Sequence, residues 1–221
     1  MTTVSARMST IPPSGSEERP ATVSHVLVCL DRSGASEGCL PYAAFAAKAF
    51  GARVTLLHVL LTPQVTEFNR ADALEAEIGR REAEGYLDRA TASLGLENAG
   101  TVGRLAQGFP AEQIAVVARE VGADLTILSS HGKGDSVAPE LGSIAQHVLS
   151  SVDGSVLLVQ PTSHLAIPPR RIMVPLDGSV RSECVLPMAT AMARANGAEV
   201  LLVYIVREPT ATAVLSDPED M

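Results

Sequence analysis

The chain has 221 residues, 46% of them hydrophobic and 19% charged, with a formal net charge of −8. That length suits one or two domains of roughly 100–200 residues each, and the acidic balance excludes broad affinity for nucleic acid or an anionic membrane, which need a basic footprint. With no Trp, three Tyr and four Phe, the chain lacks the usual base-stacking platforms; no run reaches the ~20 apolar residues of a membrane helix.

Residues 1–22 are rich in Ser, Thr, Pro and Glu and hold no secretory apolar core, so a mobile tail is expected there. Residues 26–30 form a short apolar run of the kind that makes a strand buried on both faces. A polar turn follows at residues 31–36. Residues 37–50 are Ala-rich, with Leu40, Ala43, Ala44 and Ala47 on one face and Pro41 in the first turn, and read as a helix ended by Gly51. Residues 54–60 are the next apolar strand. Residues 71–94 read as a helix with an apolar stripe of Leu74, Ile78, Leu87 and Leu94, interrupted by Gly79 and Gly85. Its Glu and Arg residues suit a solvated face with i,i+4 pairs.

A weak strand at 101–105 precedes a helix at 110–120, with Ile114, Val117 and Ala118 facing inward. Residues 125–128 form a strong buried strand, 142–151 a helix and 156–159 a last strand. Alternation of strand and helix specifies an α/β fold: an open parallel five-stranded sheet, order 3-2-1-4-5, with helices on both faces. Ligands bind such sheets outside the carboxyl ends of the strands, where the strand order reverses.

After a Pro-rich linker at 161–169, the opening segment returns. An offset of 146 residues, the separation of Asp31 and Asp177, aligns residues 24–63 with 170–209 without a gap. Ser33 then meets Ser179, Ser36-Glu37 meets Ser182-Glu183, Leu40-Pro41 meets Leu186-Pro187, and Gly51 meets Gly197. The second copy supplies strands at 172–176 and 200–206 around a helix at 183–196, and is an incomplete β-α-β repeat. A unit this small has too little core to stand alone. It packs on the first domain as a tandem-like partner, pairs with another chain, or belongs to a longer protein. Residues 210–221 read as a loose tail.

The chemistry-bearing segment is Ser129-Ser130-His131-Gly132-Lys133, which leads through Asp135 and Glu140 to Gly142-Ser143. A glycine loop ahead of a helix N-terminus offers unpaired amides and partial positive charge to an anion. The alternative is that the glycines only turn the chain and Ser143 caps the helix. Asp135 and Glu140 set two carboxylates in the loop, which repel phosphate unless a divalent metal reverses the sign; as plain surface acids they need no metal. Asp31 has two readings, ligand contact or helix cap. His58, at a strand end, reads as a packed or surface histidine. Cys29, Cys39 and Cys184 show no CxxC or His-paired spacing, so no disulfide framework and no metal site is expected. Cys29 and Cys39 read as small buried hydrophobes in a reducing cytoplasm. No P-loop, HExxH, GxSxG or GxGxxG motif occurs, so binding is expected and turnover is not.

The pattern Ser129-x2-Gly132-x9-Gly142-Ser143 resembles the nucleotide loop of the universal stress protein family, G-x2-G-x9-G-[ST]. The runs VCLD at 28–31, LLHV at 56–59 and SVLLV at 155–159 are similar to that family's first, second and last strands. The likeness covers residues 23–160 as one domain and 170–209 as the front of another. It implies a site for an adenine nucleotide, ATP or AMP, with Mg²⁺ accompanying ATP. By that resemblance Asp31 takes the ribose, the backbone of Val59 meets the adenine edge, and Leu128 lies against the ring. Gly132, Gly142 and Ser143 bind phosphates, with His131 and Lys133 adding charge beside them. Ser129 stands where the family pattern has its first glycine, and Cys29 where it often has proline. The resemblance also implies a stress-response role and a homodimer or tandem-like packing. The rival reading is a nucleotide-free interaction module of the same fold, acting through dimerisation.

Overall fold

The computed structural model describes residues 23–61, 70–96, 100–132, 141–160 and 167–204. The segments 1–22 and 210–221, most of the linker, and Lys133, Asp135 and Glu140 lie outside the described residues. In chain order the first unit contains β1 (His25–Leu30), α1 (Gly34–Glu37), α2 (Leu40–Phe50), β2 (Arg53–Leu60), α3 (Arg70–Ser93), β3 (Val102–Gln107), α4 (Pro110–Val121), β4 (Leu125–Ser129), α5 (Ser143–Ser151) and β5 (Ser155–Val159). All strand pairs are parallel and the order is β3-β2-β1-β4-β5, the 3-2-1-4-5 sheet expected from the alternation. The order reverses between β1 and β4, so the crevice of interest lies above their carboxyl ends.

β1 is apolar at nearly every position because each of its faces meets a helical layer. Val26, Val28 and Leu30 join the cluster with Ala43, Ala47, Tyr86 and Leu87 under α2 and α3. Leu27 and Cys29 face Ile114, Val117, Ala145 and Val148 under α4 and α5. Leu27, Leu56, Leu57 and Ile127 are the largest fully buried side chains, each worth about 1.5–3 kcal/mol of transfer free energy.

Three local expectations are corrected. The helix read over 37–50 is two helices. The Ser33 side chain accepts from the Ser36 amide to cap a one-turn α1, and α2 restarts after Cys39 with a proline in its first turn. Asp31 is therefore not the cap. In α3 the helix runs unbroken through Gly79 and Gly85, but Leu74 and Ile78 are exposed. Its buried face is Ala83, Tyr86, Leu87, Ala90 and, just past its end, Leu94, because only that part of the helix overlies the sheet. Cys39 is fully buried as expected, whereas Cys29 is only half-buried.

The second unit repeats the opening series as β6 (Arg171–Leu176), α6 (Val180–Glu183), α7 (Leu186–Asn196) and β7 (Glu199–Tyr204), with β6 and β7 parallel in a separate two-stranded sheet. Residues 205–206 of the strand expected to 206 lie outside the described residues. The unit splits its helix as the first does: Ser179 caps α6 as Ser33 caps α1. Its buried apolar side chains among the described residues are Val174, Ala189 and Ala193. So small a core needs outside support, and α7 finds it by packing on α2, its own counterpart. Met188 reaches the first unit's core cluster.

Candidate functional site

A cleft opens at the carboxyl edge of the sheet, over the gap between β1 and β4. Its empty volume is about 640 Å³, counting the part open to solvent. Asp31, Val59, Leu128, Ser129, His131, Gly132 and Gly142 all line it. Seven residues separated by up to 111 positions in the chain thus converge, because parallel strands carry every strand-to-helix loop to one edge. Ser143 sits on the first turn of α5, solvent-exposed and next to the lining residues Gly142 and Ile144.

The floor is apolar: Cys29 and Leu57 project from β1 and β2, and Ile114 and Ala145 from α4 and α5. Burial, with Cys39 nearby as a lesser cause, pushes the Cys29 thiol far above its ordinary range. It is a neutral wall atom and not a thiolate nucleophile.

On one side stands the Asp31 turn. Asp31 Oδ1 accepts from the Ser33 amide at 3.0 Å and from Ser33 Oγ. The Asp31 amide donates to Ser36 Oγ at 3.1 Å, and Ser36 Oγ donates to the Ser33 carbonyl at 3.0 Å. One carboxylate oxygen is therefore committed to the turn. Arg32, beside it, adopts the left-handed backbone at φ 67°, unusual for a residue with a Cβ. Its guanidinium pairs with Glu82 of α3 at 3.5 Å.

On the other side stands the loop after β4. The Ser130 amide donates to the Val159 carbonyl at 2.8 Å, and the Gly142 amide donates to the Ser130 carbonyl at 2.9 Å, so the start of α5 is stapled to the end of β4. Gly142 is the N-cap of α5 and provides no side-chain cap. Ser143, expected as a possible cap, is instead the first helical residue. The first-turn amides of α5 have no intrahelical acceptor, and among the described residues no side chain caps them. The Ser129 hydroxyl folds back on its own loop, donating to the His131 carbonyl at 2.6 Å, and Ser130 Oγ lies 3.0 Å from His131 Nδ1. Among the described residues no group of three or more His, Cys, Asp or Glu side chains is placed to hold a metal ion.

Sequence reasoning missed Cys29, Leu30, Ser36, Leu57, Pro110, Ile114, Ser130, Ile144 and Ala145 as lining residues. Ser36 had a signal, since it recurs as Ser182. Pro110 and Ile114 had none, because nothing local says that the start of α4 overhangs the cleft.

An open parallel sheet with this strand order and a cleft at its switch point defines a doubly wound α/β protein. The chain belongs to the universal stress protein family, whose family model matches residues 22–160 and 169–221. A comparison with curated proteins found no match. Among solved structures it is similar to the hypothetical protein MJ0577, at 26% identity and a TM-score of 0.54, over 63% of this chain and 96% of that one. It is also similar in fold to universal stress protein UspA from Lactobacillus plantarum (19% identity, TM-score 0.55, 62% of this chain and 97% of that one). A universal stress protein from Archaeoglobus fulgidus matches more of the chain, 87% against 70% of its own, at 19% identity and a TM-score of 0.65.

Proposed function

We propose that this universal stress protein binds an adenine nucleotide, ATP or AMP, in the cleft above β1 and β4, and acts by binding and not by turnover. The observation that carries the reading is the N-terminus of α5, capped by no side chain among the described residues, which opens into the same cavity that Asp31, Val59 and Leu128 line. Uncapped helix amides stabilise an anion, and an apolar floor beside a carboxylate suits a purine and its ribose. In this reading the Asp31 carboxylate accepts from ribose hydroxyls. The Val59 backbone and Leu128 hold the base. Gly132, Gly142 and Ser143 hold phosphates, with His131 and Lys133 contributing charge. Ser129, tied to the His131 carbonyl, directs its hydroxyl into the loop and not at the sugar. Mg²⁺ enters with ATP, carried by the phosphates.

The domain carrying this function is residues 23–160, and residues 170–209 are a partial repeat that lacks the phosphate-holding elements. No helix among the described residues is long and apolar enough to cross a membrane; a cytoplasmic stress-response role fits the composition. The second reading, an interaction module, is favoured by the open half-sheet, where Met173 and Tyr204 are 63% and 60% exposed. It places association, as a homodimer, on that unit.

A thermal-shift titration with ATP and AMP, with and without Mg²⁺, tests the reading. Nucleotide at 100 times its dissociation constant adds about 2.7 kcal/mol of stability, a rise of roughly 5–10 °C in a protein of this size. No shift with either nucleotide, in folded protein, rejects it.

A further inference from the structure

We infer that His58 is a positioning residue for the ligand-binding carboxylate: it clamps the peptide plane that sets the direction of Asp31. The inference rests on the nucleotide reading above. His58 closes β2 and is 7% exposed, yet it does not line the cleft. Its Nδ1 donates to the Leu30 carbonyl at 2.7 Å. That carbonyl and the Asp31 amide belong to one peptide plane, and the amide end is already held by Ser36 Oγ at 3.1 Å. A plane fixed at both ends leaves the Asp31 Cα–Cβ bond little freedom. The carboxylate beyond it is fixed in turn by Ser33.

The ring itself is held from behind. Tyr86 of α3 meets it edge to face, with ring centroids 6.1 Å apart. The Tyr86 hydroxyl is buried among Ser36 and Glu37 without a hydrogen bond of normal length. His58 and Tyr86 thus buttress the Asp31 turn from the side opposite the cleft.

The repeat supplies an internal comparison. In the second unit the turn forms in the same way: the Asp177 amide meets Ser182 Oγ at 3.3 Å and the Ser179 amide donates to Asp177 at 2.9 Å. The residue at the His58 position is Tyr204, 60% exposed, with its hydroxyl beside Gly178. The turn therefore does not need the histidine in order to fold. The carbonyl clamp accompanies the copy with the cleft.

A double-mutant cycle on the full chain tests this, with ATP affinity read by calorimetry and folding by thermal melts. His58→Phe fills the space without a donor and weakens ATP binding about three- to tenfold. His58→Asn, which can set an amide donor near the Nδ1 position, restores affinity to within about twofold. Asp31→Asn weakens binding, and adding His58→Phe to it brings no further loss, because the clamp acts through the carboxylate. If His58→Phe does not fold, His58→Ala takes its place in the cycle. Unchanged affinity in the apolar variant, losses that multiply in the double variant, or His58→Asn as weak as His58→Phe overturns the inference alone. Wild-type chain that binds neither ATP nor AMP overturns the nucleotide reading and this inference together.

Discussion

Replacing Asp31 with alanine separates binding from folding, because the chain carries its own control. Asp31 and Asp177 occupy the same turn, each accepting from the amide of the serine two residues on, Ser33 at 3.0 Å and Ser179 at 2.9 Å. Asp31 lines the cleft above β1 and β4, and Asp177 is not among that cleft's lining residues. Asp31→Ala removes two partly buried hydrogen bonds, to Ser33 N and Oγ. Discounted for solvent, that is about 1–2 kcal/mol, or a fall of roughly 2–8 °C in melting temperature. It also removes a charged acceptor from the ribose, about 1.5–3 kcal/mol of binding and hence roughly 10–150-fold in affinity. Asp177, fully exposed and held by Ser179 and Ser182 to a pKa of about 2, makes the comparable local bonds, so Asp177→Ala perturbs its turn and leaves ATP affinity unchanged. Calorimetric titration of ATP into the two variants, beside melts of each, reads both effects. Equal losses of affinity in both variants, or none in Asp31→Ala, would refute the reasoning.

Three other outcomes follow from the same geometry. Arg32 holds φ at 67° where the repeat has Gly178 at 81°; Arg32→Gly relieves about 1–2 kcal/mol of strain against at most ~1 kcal/mol from the exposed Glu82 pair. The variant should gain roughly 0.5–1 kcal/mol in urea unfolding, and a loss of that size would contradict the assignment of strain. His25 is buried and neutral, its Nε2 2.8 Å from Thr55 Oγ1, and burial, with Arg53 nearby, lowers its pKa below 6.5. Below pH 6.5 the unfolded chain binds the proton more readily, so stability falls as pH drops through the folded value; His25→Gln should flatten that fall, and an unchanged pH profile would remove His25 as its cause. Met188 joins α7 to the first unit's core; Met188→Glu should make everything after residue 160 rapidly digestible while residues 23–160 persist, and unaltered digestion would show that α7 is held by other contacts.

What the sequence disclosed depended on how local the physics was. β1, β2 and β4 were legible because a strand covered on both faces must be apolar throughout, and Val26, Leu27 and Val28 are all fully buried. Asp31, Gly132 and Gly142 were legible because turns and helix starts leave short-range marks. The break between α1 and α2 was overlooked because Ser33 competes with Asp31 for the cap, and spacing does not decide which side chain turns back. The α3 stripe misled at Leu74 and Ile78 because helical periodicity marks a face without saying how far the sheet beneath it extends. The cleft walls from Pro110 and Ile114 depend on α4 crossing over to lie beside α5, a relation set by topology and not by neighbouring residues.

The central claim is that one nucleotide is held at the carboxyl edge of the five-stranded sheet, and that the abbreviated repeat, with its Asp177 turn but without strand–loop–helix elements corresponding to β4 and α5 among its described residues, holds none. Counting ATP bound per chain by calorimetry tests it most directly. One site, abolished by Gly132→Val, is the expected result; zero sites, two sites, or one site untouched by Gly132→Val would contradict it.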